Sequence, residues 1–499
     1  MSLKKNVVAN LAGSAWSALM GLAFAPFYIH LMGVESYGIV GVFTSLMGVL
    51  AVLDLGLSQS MNREMARLSS EKQNSQRMAD TARTLEIIYW GIAIMVGIVI
   101  ALLSNPIATY WLNPEHLSRG DLQQALWIMG LVIALRWPVS LYTGGLNGLQ
   151  QQVQLNVLLS VIATIQGVGG LVVLWFASPT IQAFFMWQAV MALAQVVVLR
   201  IILWRTIPNG QDGTFNKQVL NEIWHFAAGM TGISLLATIL TQLDKVILSK
   251  ILTLTEFGYY TFAATVAAVV FRLIGPVFTA YYPRLTELVS RDDQQGEINT
   301  YHQGSQLMAA VIFPVALVLA LFSKEILELW THNPNLVSHA SLLVSLLVVG
   351  NMLNGVMHLP YALQLAHGWT KLAFFQNIIA VVVLAPAIYF ATLRWGPIGA
   401  AVVWIVLNTG YILITIHVMH RRLLNKEKWR WYFSDLIKPF VIVLALSAFA
   451  RLFLADGAGA WVTVFVILVT LLATTIVVVA NSSSLRGRLS FRQLWAGGK

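Results

Sequence analysis

Runs of about 20 mostly apolar residues follow one another along almost the whole chain, separated by short charged segments. A helix of that length crosses the hydrocarbon core of a bilayer, and about 14 such runs can be counted. Their centres fall near Ala18, Met47, Ile94, Ile133, Gly167, Leu193, Ser234, Ala268, Phe313, Val348, Val381, Val406, Leu444 and Leu471. Composition agrees. Charged residues make up 10% of the chain and the mean hydropathy is +0.72, whereas a soluble domain carries about 25% charged residues. The expected fold is an all-α polytopic membrane protein. The basic start, Met1 to Lys5, leads into an apolar run from Val7 to about Met32. That is longer than the apolar core of a cleaved signal, about 7–15 residues, so it reads as an uncleaved first span.

Lys and Arg give the chain a direction. With the N-terminus in the cytoplasm, 23 of the 31 lie in cytoplasmic segments, 5 on the opposite side and 3 inside spans. Positive residues gather on the cytoplasmic side of membrane proteins. Both termini are therefore expected inside, with an even number of spans. The net charge of +10 belongs to this topology and implies no nucleic-acid partner.

Several chemistries are excluded. The absence of cysteine removes disulfides, thiolate metal sites and cysteine nucleophiles. The loops are too short for a nucleotide-binding domain, and there is no G-x-x-x-x-G-K-[ST] and no metal-ligand spacing. No enzyme activity and no cofactor are expected.

An internal repeat appears at an offset of 220 residues: Glu35-Ser36-Tyr37-Gly38 opens the second span and Thr255-Glu256-Phe257-Gly258 the eighth. The same offset pairs Gly148 with Gly368, and Asn156 and Asn377 follow at nearly the same spacing. A six-span repeat keeps its orientation. It predicts two six-helix lobes in parallel repeat around a central cleft: residues 1–210 as the N-lobe, 211–425 as the C-lobe, and 426–499 as a final helix pair with a cytoplasmic tail.

An ionisable residue at the bilayer centre costs at least ~2.5–3.5 kcal/mol and normally faces a partner or a wet cavity. Arg136 in the fourth span lies about 21 Å along its helix from Leu122, and Arg272 in the eighth about 22 Å from Phe257. Each precedes a helix-bending proline, Pro138 and Pro276. A guanidinium fork suits phosphate oxygens, so the pair reads as a cationic cleft for a phosphorylated head group. Snorkelling, or a buried pair with a carboxylate, is the plainer alternative. Lys245 could line the same cleft. Asp244 and Asp54 are candidates for ion coupling or for structural counter-ions, Asp54 by a salt bridge to an arginine of its own lobe such as Arg136. His417 and His420 form H-x-x-H and read as a water-facing helix end, given Arg421 and Arg422. Gly144-x-x-x-Gly148 matches a helix-packing pattern.

Further stretches carry a resemblance. They are Phe27-Tyr28-Ile29-His30-Leu31-Met32-Gly33 with Tyr37-Gly38, and Leu53-Asp54-Leu55-Gly56-Leu57 before Arg63-Glu64. With them go Leu243-Asp244-Lys245-Val246-Ile247-Leu248 with Gly258-Tyr259-Tyr260, and Tyr282-Pro283-Arg284-Leu285. Over about twelve spans the chain resembles the polysaccharide-transporter branch of the multidrug/oligosaccharidyl-lipid/polysaccharide exporter superfamily. That branch includes Wzx-type flippases for lipid-linked O-antigen units. The resemblance implies alternating access, with an undecaprenyl-diphosphate-linked oligosaccharide carried from the inner to the outer leaflet of the bacterial cytoplasmic membrane. It implies coupling to an ion gradient and a cationic cavity, in agreement with Arg136, Lys245 and Arg272. The implied partners are membrane lipids, a polysaccharide polymerase and a chain-length regulator. The final helix pair departs from the twelve-span pattern; in lipid II flippases such a pair forms a groove for the lipid tail. A lipid II flippase is one alternative. A multidrug cation antiporter of the same fold is another, but it needs an acidic cavity, and three of the five clear intramembrane charges here are basic.

Overall fold

The computed structural model describes residues 3–69, 75–207, 213–454 and 457–482. The side chains of Lys4 and Lys5, together with Lys72 and the tail charges Arg486, Arg488, Arg492 and Lys499, lie outside the described residues. So do most of the expected C-terminal tail and the expected lobe boundary at 210–211. Among the described residues the only β-pairing is one isolated bridge between Asn113 and Thr253.

Twelve helices among the described residues are long and apolar enough to cross a membrane. The count of about 14 is not reproduced as separate helices. One 53-residue segment, Thr370–Arg422, holds both the eleventh and twelfth runs, broken at Gly396 with φ 59° and ψ −147°. The seventh run lies on a 35-residue helix, Lys217–Ile251, which is not one of the twelve.

The chain forms two compact units, Met1–Gly258 and Tyr259–Lys499. The first contains α1 (Leu3–Met32), α2 (Val34–Leu50), α3 (Leu57–Leu68), α4 (Ser75–Pro106), α5 (Arg119–Arg136), α6 (Val139–Gly148), α7 (Gln152–Phe176), α8 (Ile181–Thr206) and α9 (Lys217–Ile251). Helix α9 packs against α2, α3 and α4, so by contacts it belongs with the first unit. The interior is apolar, with Leu57, Met61 and Met65 of α3, Leu85 and Tyr89 of α4, Leu141 and Tyr142 of α6, and Leu199 and Leu203 of α8 all buried. Outward faces are aliphatic: α7 exposes Val157, Val161, Ile165, Val168 and Val172. Lipid replaces water at such a face, so close approach of small residues carries helix contacts. Gly144 and Gly148 do this. A Cβ on Gly144 would meet the Ser58 carbonyl oxygen, and one on Gly148 that of Asn62. The G-x-x-x-G pattern is thus the seat of α3.

The repeated motif is also a contact. Helix α10 (Leu254–Ala267) begins within the first unit. A Cβ on Gly38 would overlap the carbonyl oxygen of Leu254, and one on Gly258 that of Val34. Positions 34 and 38 therefore meet positions 254 and 258, each 220 residues on, in reciprocal close approaches. The motif acids fix this end. Glu35 accepts backbone N–H groups of Glu115 at 2.7 Å, His116 at 3.0 Å and Leu117 at 3.2 Å. Thr253 and Glu256 form a reciprocal cap on α10, at 3.3 and 3.2 Å.

The second unit continues with α11 (Val269–Ser290), α12 (Gln294–Leu321), α13 (Ser323–Thr331), α14 (Pro334–Val356), α15 (His358–Ala366), α16 (Thr370–Gly410), α17 (Ile416–Arg422), α18 (Lys428–Arg430), α19 (Lys438–Phe453) and α20 (Ala460–Asn481). Helix α12 is central and touches α11, α14, α19 and α20. The eighth span breaks at Ala268 between α10 and α11. The Ala267 carbonyl accepts from Asn351 at 3.0 Å, and Trp404 holds the Asn351 side chain at 3.0 Å.

Candidate functional site

Arg136 ends α5, where Pro138 leads into a separate helix. Its Nη2 donates to Gln188 Oε1 at 2.6 Å, and its guanidinium lies 5.5 Å from the Phe43 ring centre. Its Nε is buried with no acceptor among the described residues. No carboxylate among the described residues pairs with it. Gln188, on α8 and only 4% exposed, is held from its other side by Gln166 Nε2 at 2.6 Å. Gln188 gives the cation a dipole but no counter-charge. A guanidinium has five donors, and the hydrogen bond to Gln188 uses one of them.

The expected salt bridge between Asp54 and Arg136 is not formed. The second span breaks just after Asp54. Leu55 and Gly56 both take left-handed backbone, with φ of 49° and 74°, a conformation that glycine adopts freely and leucine does not. Asp54 occupies this corner and accepts from the Ser58 hydroxyl at 2.7 Å, the Ser140 hydroxyl at 3.3 Å and the Tyr89 hydroxyl. Three hydroxyls, not an arginine, compensate its charge. The L-D-L-G-L stretch is a helix break with its own polar pin.

Lys245 and Asp244 are half-buried on α9, and no ion pair of Lys245 occurs among the described residues. Arg272 lies in the first turn of α11, exposed, with neither an ion pair nor a hydrogen bond among the described residues. The structure thus places Arg136, Lys245, Asp54 and Asp244 in the first unit and Arg272 in the second.

Three polar groups escaped the sequence reading. Gln188 is one; a glutamine inside an apolar run was its signal. Glu86 is the second, 4% exposed. It accepts from Arg200 at 2.7 Å, Arg83 at 2.8 Å and Tyr142 at 2.8 Å, so two cations counted as loop charges are structural pairs. The third is His302, fully buried on α12. Its Nδ1 meets Asp435 and its Nε2 lies 2.9 Å from Glu427, while Gln306 donates to Asp435 at 2.8 Å. Both ring nitrogens thus have a carboxylate partner. The H-x-x-H expectation fails for His420, which is buried, bonds the Ile416 carbonyl at 3.0 Å and lies between Tyr301 and Trp431.

Known proteins resemble the chain in sequence and fold. A protein of Shigella flexneri named for O-antigen transport is 22% identical over 407 residues, covering 81% of this chain and 94% of its own length. The lipopolysaccharide biosynthesis protein WzxC of Escherichia coli (strain K12) is 22% identical over 467 residues, covering 89% and 87%. Among solved structures, the lipid II flippase MurJ in an inward closed conformation superposes with a TM-score of 0.68 at 13% identity, covering 94% of this chain and 98% of that one. An inward-facing multidrug resistance MATE transporter gives 0.63 at 13% identity, covering 81% and 96%. The fold is therefore that of these transporters. The family model described as polysaccharide biosynthesis protein matches residues 3–289, more than half of the sequence, and the chain belongs to that family.

Proposed function

We propose that this protein is a flippase that moves an undecaprenyl-diphosphate-linked oligosaccharide, an O-antigen or other surface polysaccharide repeat unit, from the inner to the outer leaflet of the bacterial cytoplasmic membrane. The observation that carries the reading is the Arg136 guanidinium, held inside a span by Gln188 with no counter-charge among the described residues. Its charge is uncompensated until an anion arrives. Arg272, exposed in an apolar span, supplies a second cation, and Lys245 a third. A diphosphate is the anion that family membership and the relatives' names favour.

In this reading the N- and C-lobes rock by alternating access while the lipid tail stays in the bilayer. No covalent chemistry is required. Both termini lie in the cytoplasm, as the distribution of Lys and Arg favours. Asp54, wrapped in hydroxyls at a helix corner, serves the structure; Asp244 is left as the candidate for coupling to an ion gradient. A polysaccharide polymerase and a chain-length regulator would take the product on the far side.

Deleting the gene tests the proposal. Surface polysaccharide should disappear, and the complete lipid-linked repeat unit should accumulate facing the cytoplasm. Normal surface polysaccharide in the deletion strain would refute it.

A further inference from the structure

Helix α11 has an unusual exposed side. Arg272, Gly275, Pro276, Thr279, Ala280, Pro283 and Thr286 are all exposed. At helical spacing they form one stripe of polar and small residues. Helices that face lipid elsewhere in this chain expose aliphatic side chains instead, as on α7. A stripe headed by an unpaired arginine therefore faces water, since an ionisable group in a span turns to a wet cavity.

Aromatic rings line one edge of this stripe. Phe278 and Tyr282 of α11 stack with centroids 5.6 Å apart and planes at 17°. Phe278 also stacks with Tyr361 of α15, at 6.4 Å and 22°, and meets His358 edge-on at 6.3 Å. Tyr361 is 36% exposed, and no hydrogen bond of the Tyr282 or Tyr361 hydroxyl occurs among the described residues. Rings that anchor a protein at the lipid interface sit on its aliphatic outer face; these border the polar stripe. The cluster begins about 9 Å from Arg272 along the helix and extends to about 15 Å.

We propose that Phe278, Tyr282 and Tyr361 form a stacking platform for the sugars of the substrate, beside an Arg272 that holds the diphosphate. Sugar rings present C–H faces that suit the negative face of an aromatic ring, and the unbonded phenol hydroxyls can reach sugar hydroxyls. The order along α11 also fits. With the N-terminus in the cytoplasm, the eighth span runs inward, so the rings lie on the cytoplasmic side of Arg272. That is where the sugars of an inner-leaflet glycolipid hang before transport. The proposal rests on the flippase reading and names its sugar subsite.

The test uses the full-length protein in nanodiscs with two probes. One is the glycolipid extracted from the deletion strain; the other is bare undecaprenyl diphosphate. Tyr282→Ala and Tyr361→Ala are expected to weaken glycolipid binding about tenfold each and to leave binding of bare undecaprenyl diphosphate unchanged. Arg272→Gln should weaken both. Where an alanine variant is not recovered folded, Tyr→Leu at the same position fills the space without an aromatic face and carries the same expectation. Wild-type binding of the glycolipid by the tyrosine variants, or equal weakening of both probes, overturns the platform. If no glycolipid accumulates, or the wild-type protein binds neither probe, the flippase reading fails first and the platform with it.

Discussion

Asp54 and Arg136, opposite charges in the interior of one unit, do not pair: the carboxylate takes hydroxyls of Ser58, Ser140 and Tyr89, and the guanidinium takes Gln188. Each is solvated by dipoles of its own. Arg136 is thus left without a counter-charge among the described residues, as the proposed anion site requires.

The hydroxyl cage makes a first prediction. Tyr89→Phe leaves the buried side of Asp54 short of a donor and should destabilise the protein by about 1–3 kcal/mol, read as a lower thermal midpoint in detergent. Asp54→Asn keeps an acceptor at the helix corner and should retain transport. Loss of transport in a folded Asp54→Asn protein would make Asp54 the coupling carboxylate instead.

A second concerns the crossing of the repeated motifs. Gly38→Ala and Gly258→Ala each push a methyl into a partner carbonyl oxygen and should cost about 1–3 kcal/mol. Gly21→Ala, with nothing within 4 Å of the added carbon, should be neutral or slightly stabilising. Equal midpoints for Gly38→Ala and Gly21→Ala would count against the reciprocal contact.

The third is for the second unit. His302 joins α12 to the segment before α19 through Asp435 and Glu427. His302→Ala takes a hydrogen-bond partner from the buried Asp435 carboxylate, at a cost of about 1–3 kcal/mol. Protease cleavage around residues 427–437 should accelerate in that variant, because this contact ties the final helix pair to α12. Unchanged cleavage would show that α19 and α20 are held by apolar packing alone.

A fourth tests how Arg136 is aimed. Gln188→Leu removes its hydrogen-bond partner but not its charge. Substrate affinity should fall by less than with Arg136→Gln, since charge-assisted hydrogen bonds to the anion, about 1.5–3 kcal/mol each, remain available. Equal losses in titrations with the extracted glycolipid would mean that Gln188 itself touches the substrate.

Much of the fold was legible because a bilayer limits what an apolar run can become. Run length gave the spans, and the 220-residue register marked Gly38 and Gly258, whose contact the structure displays. The individual partners of the charges were not legible. Asp54 and Arg136 looked like a pair because opposite charges in one span set usually are, but hydroxyls and amides carry no sequence periodicity. His420 looked water-facing beside two arginines; its helix turns that side into Tyr301 and Trp431. The seventh run counted with the later lobe by repeat order, yet α9 packs with the earlier helices, since sequence order does not fix which neighbours a long helix touches.

The most direct measurement is glycolipid flipping in proteoliposomes containing wild-type protein, Arg136→Gln or Arg272→Gln, with an imposed ion gradient. Each substitution should slow translocation of the extracted lipid-linked repeat unit at least about tenfold, while the folded protein is recovered in normal amount. Translocation at the wild-type rate by both variants would contradict a cationic site for the diphosphate.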